Sequence, residues 1–398
     1  MSRWQTLKWQ VLLRRVPHCL LSWRFLLPGQ GQAVALHRKV LFGAWPKLPR
    51  WQWGVIFLYS TLLWWLFRGW FMLVRSLKRQ GRRISESEGV GMGRQLAGLL
   101  LATFAHGIAP RDYYRYSLYR FPERRWLHFV YEQELPHWHW LMSPQLGAES
   151  IRLMTDKHAF AEAMVGQSIA TVETVAKWPQ GEDVSDQQLF RGRSLFLKPV
   201  CGSRAQGGMK LIYLTGDEKY TLQTSDQTIG ARAEILASVQ SAISTSDYLV
   251  QPLLNNAPEL AQLCGSDSAA TLRVISAWVD GEPTVLFANL ELPPKQLGGQ
   301  VQMAAIDVDS GCISAVHASA TEALKEMIGR SIPQWSEVMD LCIRAHHHFE
   351  DLNTIGWDVV IDENGVKLLE GNINWGVAAH QIIVGKPALK SELIQAYR

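Results

Sequence analysis

Gly356-Trp-Asp358-Val-Val-Ile361 runs into Asp362-Glu-Asn-Gly365 and returns as Val366-Lys-Leu-Leu-Glu370-Gly-Asn372. Two runs of β-branched and aliphatic residues joined by a polar Asp-Glu-Asn-Gly link predict a β-hairpin. Side chains alternate along a strand, so Asp358 is expected to point with Val360, and Glu370 with Leu368 and Asn372. With the arms paired about the turn, Asp358 stands nearly opposite Glu370. Two carboxylates and an amide oxygen on one face are mutually costly unless a hard cation neutralises them. Such an oxygen-only set suits Mg²⁺ bridging to phosphates. The competing reading is an ordinary hairpin whose polar residues face solvent, and the rest of the chain has to discriminate.

A chain of 398 residues can hold two or three domains, and 17 Trp is far above ordinary usage. Its charge is unevenly placed. Residues 1–85 carry 15 Lys or Arg and no Asp or Glu, so the remainder is net negative although the total is +4. The cysteines, Cys19, Cys201, Cys264, Cys312 and Cys342, are scattered without a C-x-x-C pair. That argues against a zinc site or a disulfide framework and suits a reducing cytosol.

Trp53 to Phe67, followed by Arg68 and Gly69 to Val74, makes 22 residues just long enough to cross a bilayer as a helix. Arg68 interrupts that reading. Basic residues lie on both sides (Lys47 and Arg50 before; Arg75, Lys78, Arg79, Arg82 and Arg83 after), so no orientation follows. Trp within the run and Lys or Arg at its edges suit a helix in the headgroup layer instead. Residues 1–85 are therefore expected to be a basic, Trp-rich helical region in peripheral contact with the cytoplasmic face of a membrane. Trp4, Trp9, Trp23 and Phe25 mark a second amphipathic segment, in which Arg14, Arg15 and Arg24 break any signal-peptide core. A basic aromatic arm can also bind nucleic acid, but here the aromatics sit in continuous apolar runs, which favours lipid. A third reading is a basic helical hairpin packed on the protein's own body.

Residues 85–93 read as a polar, Gly-rich hinge. Gly89-Val-Gly-Met-Gly93 is no dinucleotide fingerprint, because no strand precedes it. Residues 86–150 read as a helical, aromatic cap or linker, with a helix over 95–105. His137 and His139 there lack a helical metal-ligand spacing. From 151 to 398 short strands and helices alternate. Asp156 can cap a helix over 157–165. Strands are expected at 194–199, 208–214, 247–252, 269–279, 283–290, 300–307 and in the closing hairpin, with helices at 228–243, 257–264 and 335–351. Several connections are too short for crossover helices, so the class is α+β with mainly antiparallel strands.

The strand ending in Lys198-Pro199 opens a loop containing Gly202, Ser203, Arg204, Gly207 and Gly208 before the next strand. Glycines let backbone N–H groups approach an anion, Ser203 and Arg204 add donors, and Lys198 supplies a point charge suited to phosphate oxygens. The alternative is a plain β-turn. Arg273 lies inside an otherwise apolar strand, where a charged group needs a partner. Its functional reading is a guanidinium on the terminal phosphate and on the acyl phosphate formed from it. The bland reading is an ion pair at a strand edge. Tyr248 to Pro252 could offer backbone groups at Val250 and Gln251 to an adenine. His346, His347 and His348 are consecutive on a helix and read as a solvated face.

Taken in order, the glycine loop with Lys198, the strand Arg273 and the hairpin with Asp358, Glu370 and Asn372 resemble the ATP-grasp superfamily. The closer likeness is to its sugar-transfer-associated branch. Supporting stretches are Thr155-Asp-Lys157, Pro258-Glu-Leu260 leading to Thr271-Leu-Arg273, Ala305-Ile-Asp307 to Gly311, and Gly329 to Trp335. The resemblance covers about 150 to 385. It implies two α+β lobes clamping ATP, with Lys157 and Lys198 as nucleotide-contacting lysines, Arg273 on the phosphates, and Asp358, Glu370 and Asn372 as magnesium ligands. Ala257 before Pro258, Ala269 and Ala270 before Thr271, and Glu291-Leu-Pro-Pro-Lys295 depart from the familiar pattern. The implied activity is an ATP- and Mg²⁺-dependent ligase that activates a carboxylate as an acyl phosphate and joins it to an amine, in the setting of envelope or polysaccharide precursors. Rival readings are a kinase acting on a small-molecule hydroxyl and a non-catalytic nucleotide-binding membrane scaffold.

Overall fold

The computed structural model describes residues 21–43, 49–200, 207–217, 219–294, 301–317 and 319–397. Trp4, Trp9, Arg14, Arg15, Cys19, Lys47, Cys201, Gly202, Ser203, Arg204 and Lys295 lie outside the described residues. The chain divides into two compact units, residues 145–375 and residues 1–144 with 376–398.

The 145–375 unit is built on two six-stranded antiparallel sheets, and the fold is the α+β class expected. The first holds β1 (Ala176–Trp178), β2 (Leu195–Pro199), β3 (Met209–Leu214), β4 (Lys219–Gln223), β5 (Thr228–Ile229) and β6 (Tyr248–Pro252), in the order β1-β6-β2-β3-β4-β5. Leu195, Leu197, Leu211, Leu222 and Val250 bury one face against Ile235, Val239 and Ile243 of the helix Arg232–Ile243. Alternation therefore turns Phe196 and Lys198 to the opposite face.

The second sheet holds β7 (Thr271–Val279), β8 (Glu282–Leu292), β9 (Gln302–Ile306), β10 (Ile313–Val316), β11 (Thr354–Asp362) and β12 (Gly365–Asn372), in the order β10-β9-β8-β7-β11-β12. Leu272, Val274, Ala288, Leu290, Trp357, Val359 and Ile361 form its core face, packed with Val338, Leu341 and Ala345 of the helix Trp335–His346. Residues between them, Arg273 and Asp358 among them, turn the other way.

The expected hairpin forms, and Asp358 pairs directly with Glu370. The next pair is Val359 with Leu368, so Leu369 is an extra residue and β12 bulges there. The bulge reverses one expectation. Leu368 points with Val359 into the core and is fully buried, instead of sharing the face of Glu370. In the turn, Gly365 takes φ +103°, which suits a residue without Cβ.

Two further expectations change. Residues 228–229 are strand β5, and the helix begins only at Arg232. The histidine run is not a uniformly solvated face: His347 and His348 are exposed or half-exposed, whereas His346 is completely buried. Its Nε2 contacts the Leu352 carbonyl at 2.9 Å, so that nitrogen carries the proton and Nδ1 accepts from Ser276 Oγ at 2.7 Å. Ser276 Oγ in turn accepts from Trp357 Nε1 at 2.7 Å. Burial lowers the His346 pKa to about 4, and the ring is a neutral link between helix and sheet.

In the helical unit, the helix Gln32–Gly43 leads to an unbroken helical run over 50–88 that includes π turns at Trp64–Arg68 and Leu77–Gly81. A second run, Met92–Leu100 continued by a π turn to Ala105, covers the helix expected at 95–105. The two runs are joined by side chains: Trp64 Nε1 donates to the Thr103 carbonyl at 2.9 Å, and Gln95 Nε2 to the Gly81 carbonyl at 3.0 Å. Residues before and after 85 thus lie in one unit. The final residues belong with them, since the Gln381 side chain brackets Val130, accepting from its N–H at 2.9 Å and donating to its carbonyl at 2.8 Å.

Candidate functional site

Across four neighbouring strands of the second sheet the register places Asn289, Arg273, Asp358 and Glu370 in one row. Directly opposed residues on neighbouring strands share a face. The row therefore runs over the face turned away from the helix Trp335–His346, and Asn372 follows Glu370 along the same side of β12. The expected group of Arg273, Asp358, Glu370 and Asn372 is brought together by pairing that only the folded sheet provides.

Arg273 Nε lies 2.7 Å from Asp358 Oδ1 and 3.6 Å from Glu291 Oε1. Glu291 sits two residues beyond Asn289 on β8, on the same face. Burial alone would lower the Arg273 pKa, but Asp358, Glu291 and Glu370 outweigh it, and the guanidinium stays charged. Burial raises the Glu291 carboxyl, with Arg273 opposing the rise.

Asp358 and Glu370 behave as a pair. Burial, followed by the neighbouring carboxylates, pushes Asp358 well above the usual range although Arg273 opposes this. Burial would also raise Glu370, but Lys157 and Lys198 hold it below the ordinary value. Two carboxyls in contact cannot both ionise freely in the absence of a cation, so the proton belongs to the pair. Lys157 follows the Asp156 cap, whose carboxylate accepts from the N–H groups of His158 and Ala159, and its Nζ lies 3.4 Å from Glu370 Oε2. Lys198 reaches the same carboxylate pair from β2, and burial, opposed by Glu370, lowers its pKa to about 8.

The donor set fits a hard divalent cation. Asp358 Oδ1 is buried and accepts no hydrogen bond; the 2.7 Å approach of Arg273 Nε is an ion-pair contact without hydrogen-bond alignment. A buried oxygen left in that state is what a cation would satisfy. Asn372 Nδ2 lies 3.5 Å from Glu370 Oε1, a long contact that leaves its amide oxygen for a ligand role. Among the described residues no group of three or more His, Cys, Asp or Glu could hold a metal. The candidate set is two carboxylates and an amide.

Other expected residues are placed differently. Gly207, at φ +74°, packs where a Cβ would come 3.0 Å from Pro199 Cγ, and its carbonyl accepts from Tyr248 Oη at 2.9 Å. Gly208 is buried beside it. The Val250 side chain is wholly in the core and its carbonyl accepts from Val175 N at 2.8 Å, while Gln251 is buried opposite Phe196. That carbonyl is thus already engaged in the sheet. Two polar residues escaped the sequence reading, Asn289 and Glu291. Their signal was available, because they alternate with Ala288, Leu290 and Leu292 in an otherwise apolar strand.

The family model described as "Sugar-transfer associated ATP-grasp" matches residues 145–396. No curated protein matches the chain. Among solved structures it is similar to D-alanine-D-alanine ligase from Helicobacter pylori, with 14% identity, a TM-score of 0.38, and coverage of 63% of this chain and 59% of that one. D-cycloserine synthetase is similar at 13% identity and TM-score 0.39, covering 66% and 77% of the two chains. The ATP-grasp ligase PsnB complexed with minimal precursor is similar at 16% identity and TM-score 0.35, covering 72% of each. This chain spans less than two thirds of the length of the Helicobacter enzyme.

Proposed function

The chain belongs to the sugar-transfer associated ATP-grasp family, and from that premise we propose that it is an ATP- and Mg²⁺-dependent ligase that activates a carboxylate as an acyl phosphate and joins it to an amine. The observation that carries this reading is the polar row Arg273–Asp358–Glu370 with Lys157 and Lys198 converging on its carboxylates. Asp358, Glu370 and Asn372 would hold Mg²⁺, which would supply charge neutralisation for phosphoryl transfer. Lys157 and Lys198 bind and orient the nucleotide phosphates. Arg273 faces the phosphoryl group and the acyl phosphate, where charge develops in transfer. No covalent nucleophile is required, since positioning and electrostatics suffice for this chemistry.

The substrates in this reading are a small-molecule carboxylate and an amine, with an envelope or polysaccharide precursor as the acceptor. The basic Trp-rich region 1–85 holds the enzyme peripherally at the cytoplasmic face of a membrane. A screen of carboxylate and amine pools for ADP release tests the reaction, with product analysis to separate outcomes. Free phosphate with a condensed product is expected. A stable phosphorylated hydroxyl product would make the protein a kinase, and ATP binding without ADP formation in any pool would make it a scaffold. Glu370→Gln should weaken Mg-ATP binding at least tenfold and stop transfer; full activity in that variant would remove the metal assignment.

A further inference from the structure

The helix Gly54–Glu88 is long and apolar enough to cross a membrane, yet its inner seam is packed against the protein. Ile56, Trp64, Gly69, Leu73 and Gly81 are buried along that seam. They recur every fourth or eighth residue except for one step of five between Trp64 and Gly69, where the π turn Trp64–Arg68 inserts the extra residue. Exposed residues away from that seam form a stripe along the helix. That stripe is apolar first and cationic afterwards. Trp51, Val55, Leu62, Phe67, Phe71 and Val74 are all more than 45% exposed, and Arg75, Lys78, Arg79, Arg82 and Arg83 continue the same exposed side. Phe67 and Phe71 each expose 66% of their surface, an unusual concentration of apolar area for a helix facing water.

The chain path excludes a crossing. Before the helix, Arg24 Nε donates to Glu123 Oε1 at 3.0 Å and His37 Nε2 to the Leu127 carbonyl at 3.0 Å. After it, Arg120 Nε donates to Glu88 Oε2 at 2.7 Å. The segments on both sides of the helix are therefore bonded to one body, and a single crossing would put them on opposite sides of the bilayer. A return crossing through Met92–Ala105 fails on length, since that run would span only about 21 Å of a hydrocarbon core about 30 Å thick.

Resting on the membrane contact proposed above, we infer that the helix 50–88 lies flat in the headgroup layer of an anionic bilayer. Its aromatic stretch enters the acyl boundary, and the Arg75–Arg83 stretch engages lipid phosphates. The occupant is fixed by charge: the acidic neighbours of the cationic end are Glu86, paired with Arg82 at 2.7 Å, and Glu88, paired with Arg120 at 2.7 Å, so the stretch complements an anionic surface.

The full chain is mixed with vesicles of phosphatidylcholine alone or phosphatidylcholine with phosphatidylglycerol, and binding is read by sedimentation and by Trp quenching with brominated acyl chains. Expected is binding at least about tenfold tighter to the anionic vesicles, an advantage abolished by Lys78→Glu with Arg79→Glu. Phe67→Glu with Phe71→Glu should remove the quenching. All four positions are exposed, and unchanged thermal unfolding of each variant confirms that the fold is intact. Equal binding to both vesicles overturns the anionic assignment, and resistance to alkaline extraction overturns the flat placement. Undiminished binding by both double variants assigns the contact to another segment. A dimer that dissociates in the Phe67/Phe71 variant makes a second copy the occupant. If the unmodified chain binds neither vesicle, the underlying membrane reading itself fails, whereas any of the other adverse results leaves that reading standing.

Discussion

Arg273 serves two carboxylates at once, Asp358 at 2.7 Å and Glu291 at 3.6 Å, while its remaining guanidinium nitrogens keep planar donors that the point charge of an ammonium does not reproduce. Arg273→Lys is accordingly expected to lower kcat at least about tenfold with a smaller change in the KM for ATP, measured by steady-state ADP release. An equal loss in both would move Arg273 from transfer to ground-state binding. Lys198 gives a pH signature. Burial brings its pKa down to about 8, so the free protein loses the ammonium as pH rises through that value. ATP affinity should be level below about pH 8 and fall above it, and Lys198→Met should bind ATP more weakly at low pH and show no such limb in calorimetric titrations. The stability sign is opposite: with the folded pKa below the unfolded one, folding gains stability as pH rises from about 8 toward 10.5. Arg273, Asp358 and Glu370 were legible because a charge inside an apolar strand demands a partner. Glu291 was missed although it alternates with Leu290 and Leu292, because the strand expected over 283–290 runs on to Leu292, just before Pro293.

Among the elements, the hairpin shows where alternation stops being readable. Every residue of β11 is buried, so apolar side chains occupy both faces and no pattern marks the bulge at Leu369. Gly356 pairs with Asn372 near the start of that strand, and a Cβ there would stand 2.5 Å from Trp375 Cβ. Gly356→Ala is expected to cost about 1–3 kcal/mol by overpacking and to loosen the Asn372 end of the site. Urea unfolding and the Mg²⁺ dependence of ATP binding check the two effects. His346 was misread for a related reason: the helix ends at His346 with His347 and His348 in the following turn, and only tertiary packing decides which ring enters the sheet. Its folded pKa of about 4 lies below the unfolded value, so the unfolded chain takes up the proton first on acidification. Stability of the sheet should therefore fall between about pH 6.5 and 4, by about 3 kcal/mol in all. His346→Leu should flatten that part of the profile, as read by hydrogen exchange of the β7 and β11 amides.

At the scale of the molecule, the chain leaves its helical unit at Pro144, builds both sheets, and returns to the helical unit from Gly376. The return was not legible, because Gln381 meets Val130 across 251 residues and such a contact leaves no local pattern. The family match runs to residue 396 and so includes this returning tail. The consequence concerns truncation. Residues 1–85 read as a basic helical region of their own, yet within them His37 contacts Glu134 at 2.8 Å with both side chains wholly buried, and Trp64 Nε1 donates to the Thr103 carbonyl. Removing His37 leaves the buried Glu134 carboxyl without its hydrogen-bond partner, a loss of the kind that costs about 1–3 kcal/mol. Deleting residues 1–85 is therefore expected to unfold the rest of the helical unit, residues 86–144 and 376–397, rather than yield a soluble enzyme merely released from membranes. Hydrogen exchange should show those segments unprotected in the deleted chain while β7, β8, β11 and β12 remain protected, since their core of Leu272, Leu290, Trp357 and Leu368 lies wholly within 145–375. Protection retained over 106–134 would mean that those residues hold their fold without the arm, and the deletion would then be a clean test of membrane release.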